Sequence, residues 1–149
     1  MRARGVVGLV IFATVLPMAC GYGLVAAHAS SGPKPLGPGL VTIELTTRYS
    51  RFSTEEIVVY QGTLVRFVVT NDDPIHHEFI VGPDEVHAAH ENGHDLTHPP
   101  VPGEVSVDPG ETGLTTYLFD QPGTLRFACH FPGHLAYGMQ GTVRVIATT

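Results

Sequence analysis

The sequence predicts an all-β chain folded as a single-domain Greek-key β-sandwich. Three observations lead there: short runs in which apolar and β-branched residues alternate with polar ones, Gly/Pro turns between those runs, and no long helical periodicity. The part of the 149-residue chain that follows the N-terminal segment has the length of one domain and can bury a real core.

Taken in order, Met1 to Arg4 carries two arginines, residues 5–27 carry no charge, and Ala27-His28-Ala29 has small residues around a cleavage position. This reads as a secretory signal peptide over 1–29, cut after Ala29. The alternative is an uncleaved membrane anchor, since about 20 apolar residues span a bilayer. Leu16-Pro17-Met18-Ala19-Cys20 matches a lipid-attachment box poorly. Residues 30–39, Ser-Ser-Gly-Pro-Lys-Pro-Leu-Gly-Pro-Gly, predict an extended and mobile linker, and the domain follows over 40–149.

Within the domain, strands are predicted at 41–45, 57–60, 63–70, 77–81, 104–107, 115–119, 124–129 and 141–146. Gln61-Gly62, Asp108-Pro109-Gly110 and Gln121-Pro122-Gly123 supply turns, and Asn71-Asp72-Asp73-Pro74 a loop in which the two aspartates read as solvated. The segment from Gly82 to Gly103 is too long for a hairpin loop and predicts a His-rich insertion with a short helix from Asp84 to about Asn92. Gly93 weakens that helix and Pro99-Pro100 ends it.

From Ser30 onward six Lys/Arg face fourteen Asp/Glu, a formal charge of −8, which excludes nucleic acid and favours basic protein partners. Cys129 is then a lone thiol in an exported protein, and a metal accounts for it. Cys129, His134 and Met139 are spaced four residues apart on a Pro/Gly loop, and His77 opens an apolar strand. Two imidazoles, a thiolate and a weak axial thioether form a ligand set suited to copper cycling between Cu(I) and Cu(II). In isolation Cys129 and Met139 each read as core residues, but jointly they read as ligands. His77 is preferred over His76 because period two places it on one face with Phe79 and Val81. Period two also turns His130 away from Cys129, to an exposed or hydrogen-bonded position.

Phe127-Ala128-Cys129 through Gly141-Thr142-Val143, together with Asn71 through Phe79, resembles the cupredoxins, the blue type 1 copper proteins of plastocyanin/azurin type. The resemblance covers most of Val41 to Ile146, and the Cys-x4-His-x4-Met loop is of the rusticyanin-like kind. It implies that Cys129 is the strong thiolate ligand, that His77 and His134 bind through Nδ1, and that Met139 is the weak axial ligand. Glu78 stands where family members often carry an Asn or Ser that braces the cysteine loop, so that role has no assigned residue.

The implied function is a one-electron carrier between a redox donor and acceptor with basic docking surfaces, monomeric and not an enzyme, exported to a periplasmic or extracellular location. Its electron-transfer surface falls on Pro132, Leu135, Ala136 and Tyr137 around His134. The alternative is a copper-homeostasis protein for storage or delivery. The length excludes the further copper domains of a multicopper oxidase, and one loop cysteine excludes a binuclear centre. His87, His90, His94 and His98 are spaced three, four and four apart, and read either as solvated surface or as a secondary copper or zinc site.

Overall fold

The computed structural model describes residues 32–93 and 99–148. The expected signal or anchor, Cys20, His94 and His98 lie outside them. Eight strands and one helix follow in order: β1 (Gly39–Thr47), β2 (Glu56–Tyr60), β3 (Thr63–Asn71), β4 (His77–Gly82), α1 (Asp84–Asn92), β5 (Glu104–Val107), β6 (Thr112–Phe119), β7 (Gly123–Ala128) and β8 (Gln140–Ile146). They form a three-stranded sheet, β1-β3-β6, and a five-stranded sheet, β2-β8-β7-β4-β5. β1 with β3 and β2 with β8 are parallel, and the other pairs are antiparallel.

Alternation makes the sandwich. In β3 the side chains of Val65, Phe67 and Val69 are buried while Leu64 and Arg66 face out, as period two requires of a half-covered strand. Phe79 is fully buried and its ring contacts Phe52, Phe67 and Phe127, with centroids 4.7 to 5.8 Å away. Truncating such a ring to alanine costs about 3–5 kcal/mol, so Phe79→Ala would strip the core of a large share of its stability.

The Gln61-Gly62 turn does not make a hairpin. It carries the chain from β2 in one sheet to β3 in the other, and the Gly62 N–H donates to the Phe119 carbonyl at 2.8 Å. Within the segment expected to be a mobile linker, Leu36 is fastened to β2. The Leu36 N–H donates to the Val58 carbonyl and the Tyr60 N–H to the Leu36 carbonyl, both at 2.9 Å, and this covers the edge of β2.

β4 is buried along its whole length because α1 lies against β4 and β7. β4 and β7 are antiparallel neighbours with Ile80 opposite Ala128. The start of β4 and the end of β7 therefore reach the same pole, and they bring His77 and Cys129 with them.

Candidate metal centre

Cys129 lies one residue beyond β7, and its N–H donates to the Met139 carbonyl at 3.1 Å. Between them the chain closes on itself. The His134 N–H donates to the Phe131 carbonyl (2.9 Å), Tyr137 to Gly133 (3.0 Å), Gly138 to Leu135 (2.9 Å) and Met139 to His134 (3.0 Å). Gly138 has φ +85°, a left-handed conformation that glycine adopts without strain. Its need is conformational and not one of space, since a Cβ there would meet nothing closer than the Arg51 guanidinium, 3.9 Å away.

This folding aims three donors at one point. Cys129 Sγ lies 3.2 Å from His134 Nδ1 and 4.0 Å from His77 Nδ1, and the three atoms lie within 4.8 Å of one another. An ion bonded to nitrogen at about 2.0 Å and to sulfur at about 2.3 Å in tetrahedral geometry sets such donors about 3.5 Å apart. The two observed separations bracket that figure. His77, Cys129 and Met139 are fully buried and His134 is partly exposed, so the group fits one soft ion under a single imidazole that reaches the surface. Met139 sits in the same buried cluster as Cys129.

His77 is oriented from behind. Its Nε2 bonds Asp73 Oδ2 at 2.8 Å, which leaves Nδ1 facing the sulfur. Asp73 is held in turn by the Tyr49 N–H (2.6 Å) and the Ser50 N–H (2.8 Å). Those two residues have φ of 55° and 51° and form the tip of a two-residue hairpin, closed by mutual main-chain bonds between Arg48 and Arg51. Two non-glycine residues in the left-handed region cost free energy, and the carboxylate that bonds both their N–H groups offsets it. Burial alone would raise the Asp73 pKa, but the Ser50 and Tyr49 amides and His77 together hold it below the ordinary value. The expectation of a solvated Asp73 is thus corrected, for it is 7% exposed.

Burial pushes the Cys129 thiol up to about 12; the Glu78 and Phe131 main-chain amides pull the other way, and the Glu78 charge adds to the rise. Burial, with His77 nearby, lowers His134. A cation reverses the first of these, because a coordinating thiol gives up its proton outright. A His134 imidazole held low beside a thiol that ionises only for a cation makes a site poised for metal.

The bracing role left open at Glu78 is filled by Glu78 itself. Its Oε1 accepts the His130 N–H at 2.7 Å, tying β4 to the cysteine loop, and the side chain is 2% exposed.

The other expected residues divide. His76 is exposed, with Nδ1 2.8 Å from Asp108 Oδ1, outside the donor group. Pro132, Ala136 and Tyr137 are exposed and Leu135 partly so, around the partly exposed His134. α1 spans the residues expected, but its histidines are not a solvated stripe. His87 is fully buried, with Nε2 3.1 Å from the Arg126 carbonyl and Nδ1 2.8 Å from His130 Nε2. His90 Nε2 bonds Glu104 Oε2 at 3.0 Å, and Nδ1 lies 3.6 Å from Glu78 Oε2. The physical reason is that α1 covers one face of β4 and β7, so its inner side chains enter the protein. His130 does turn away from Cys129, into this second cluster, where burial and the neighbouring His87, His90 and Arg126 lower it to about 4. Sequence reasoning missed Asp73, and its one signal was the spacing of four residues ahead of His77.

Comparison with known proteins follows the same lines. A sequence model of the copper binding proteins, plastocyanin/azurin family, matches residues 41–146. The copper-resistant cuproprotein CopI of Rubrivivax gelatinosus is 36% identical over 130 residues, covering 80% of this chain and 78% of that protein. Auracyanin-B of Chloroflexus aurantiacus is 31% identical over 109 residues, covering 63% of this chain and 46% of that protein. The solved structure of auracyanin A, a "blue" copper protein from the same bacterium, is 26% identical with a TM-score of 0.58, covering 72% of this chain and 100% of that one. Donor chemistry, sandwich and family match agree, and the chain belongs to the plastocyanin/azurin family of copper-binding proteins, with copper as its cofactor.

Proposed function

We propose that this chain is an exported copper protein of copper resistance, in which His77, Cys129, His134 and Met139 hold one type 1 copper ion and exchange one electron at a time with a redox partner. The observation that carries the ligand set is the convergence of His77 Nδ1, His134 Nδ1 and Cys129 Sγ within 4.8 Å at a buried pole. Copper supplies the one-electron couple. Asp73 keeps His77 in the tautomer that offers Nδ1, and the self-bonded loop resists the rearrangement that the two oxidation states favour. Nothing in this arrangement needs a substrate of its own.

The resistance role is supported by the Rubrivivax protein, described as a copper-resistant cuproprotein and aligned over most of both chains. The uncharged run after Arg4 supports export. A strain lacking the gene should grow poorly at rising copper. The wild-type gene should restore growth and Cys129→Ser should not. Unchanged tolerance on deletion would overturn the resistance role.

The second reading is a carrier between redox proteins, favoured by the likeness to auracyanins and by the rim of Pro132, Leu135, Ala136 and Tyr137 around His134. An apolar rim within an acidic surface admits a basic partner close to a ligand edge. A further metal at His87, His90, His94 and His98 would have to displace the partners that His87 and His90 already hold. Copper stoichiometry above one in the mature protein, lost when all four become alanine, would establish it.

A further inference from the structure

We propose that the turn at Arg48–Arg51, between β1 and β2, is a docking arm on which Arg48, Tyr49 and Arg51 receive carboxylates of the redox partner and set how that partner lands over His134. This rests on the electron-exchange reading above and goes beyond it by fixing the polarity of the contact.

Of the other arginines in the domain, Arg126 pairs with Glu91 (3.4 Å), Arg144 with Glu56 (3.2 Å), and Arg66 bonds the Thr42 hydroxyl. Arg48 and Arg51 are exposed and joined by mutual main-chain bonds, and among the described residues neither meets a carboxylate, although acids outnumber bases fourteen to six from Ser30 onward. Arg51 reaches the ligand loop, since a Cβ on Gly138 would lie 3.9 Å from its guanidinium. The arm is also stiff. The Arg48 guanidinium lies 5.0 Å from the Tyr49 ring centroid, Arg51 Nη1 donates to the Ser50 carbonyl at 3.0 Å, and Asp73 accepts the Tyr49 and Ser50 N–H groups. Side chains already placed lose less freedom on binding. Tyr49 on the arm and Tyr137 on the ligand loop are 79% and 71% exposed, and arginine and tyrosine are the residues that most often anchor a protein interface.

Charge is arranged with a direction along the ligand loop. Phe131, at the end away from Gly138, lies parallel to the His76 ring with centroids 6.5 Å apart, and His76 bonds Asp108. Asp108 and Glu111 are exposed there, linked by a main-chain bond. One end of the loop is thus flanked by cations and the other by anions. The net negative charge of the domain draws a basic partner from a distance, and the two ends decide its orientation, with carboxylates toward Arg48 and Arg51 and cations toward Asp108 and Glu111. An anionic bilayer offers one sign only and would press like charge on Asp108 and Glu111, so the occupant is a protein surface.

The test uses the copper-loaded mature protein in its Cu(I) form and two small oxidants of opposite charge, hexacyanoferrate(III) and tris(phenanthroline)cobalt(III). Each takes one electron from Cu(I), leaving Cu(II) and Fe(II) or Co(II) with no proton moved, and the growing thiolate-to-Cu(II) band reports the rate. The double variant Arg48→Gln/Arg51→Gln should slow the anion at least about threefold at low ionic strength, with the loss shrinking as salt screens it, and should not slow the cation. Asp108→Asn/Glu111→Gln should do the reverse, and Arg48→Lys/Arg51→Lys should keep the rate of the anion. A smaller loss with the anion, or an equal loss with both oxidants, overturns the proposal. A short synthetic peptide rich in aspartate should move the Tyr49, Arg51 and Tyr137 amide resonances of the diamagnetic Cu(I) protein, and the glutamine double variant should lose those shifts. Shifts confined to other residues overturn the proposal, as does binding to phosphatidylglycerol vesicles that the double variant abolishes while the peptide moves nothing. If the unaltered protein exchanges electrons with neither oxidant, the electron-exchange reading fails instead, so the two failures are told apart.

Discussion

Two histidine clusters lie back to back at one end of the sandwich, entered by consecutive residues. Cys129 joins His77 and His134, and His130 joins His87 and His90. Both clusters are largely buried, and they differ in where the nitrogen atoms point. In the first, Asp73 occupies the outer nitrogen of His77, and lone pairs converge on the sulfur. In the second, His87 bonds the His130 imidazole with one nitrogen and the Arg126 carbonyl with the other, so both of its nitrogens hold α1 to the sheet. A histidine binds metal or fastens structure according to what its second nitrogen meets.

The sharpest break of this contrast is Cys129→Ser. The copper-loaded protein should lose its thiolate-to-Cu(II) absorption entirely, while a change at His130 should leave it. Asp73→Asn comes next, because one orientation of its amide sets donor against donor at Ser50 and His77 and the other at Tyr49. Copper affinity should fall about 10–100-fold in a chelator competition, the usual range for a ligand's orienting partner.

Acid should act on the second cluster. Burial lowers His87 and His130 from 6.5, the latter to about 4, so between those pH values the unfolded chain binds protons that the folded chain does not. Stability of the metal-free protein is therefore full above about 6.5 and declines as pH falls toward 4. Asp73, held low, adds a separate loss below about 3.8. A thermal melting series across pH checks this, and the decline should shrink in a His87→Gln/His130→Gln double variant. The smallest effect is at the axial position. Met139→Gln should keep copper and colour but lower the potential, because a harder ligand favours Cu(II). An unchanged value would make Met139 a core residue alone.

Alternation along single strands made all eight strands legible, and period two distinguished His77 from His76. The loop spacing from Cys129 to Met139 was equally local. What stayed hidden depends on contacts between distant segments. Asp73 looks like any loop acid until the Tyr49-Ser50 turn, about 24 residues earlier, closes on it. Period two foretold that His130 turns from Cys129, yet it carries no information on what waits there. The α1 histidines looked solvated because their spacing shows which residues share a face and not whether a sheet lies against it. Gly62 shows the same limit, for its turn is readable but its passage between sheets is not.

The main-chain bonds that close residues 129–139 on themselves bear on inheritance. A segment that carries its own fastening can be shortened, lengthened or exchanged between lineages as a cassette, because few of its ties reach the host. The first histidine has no such freedom. Its orientation is written partly in the turn at Tyr49 and Ser50, so a transplanted loop would arrive with Cys129 and His134 in register and find His77 misaligned unless that distant hairpin came with it.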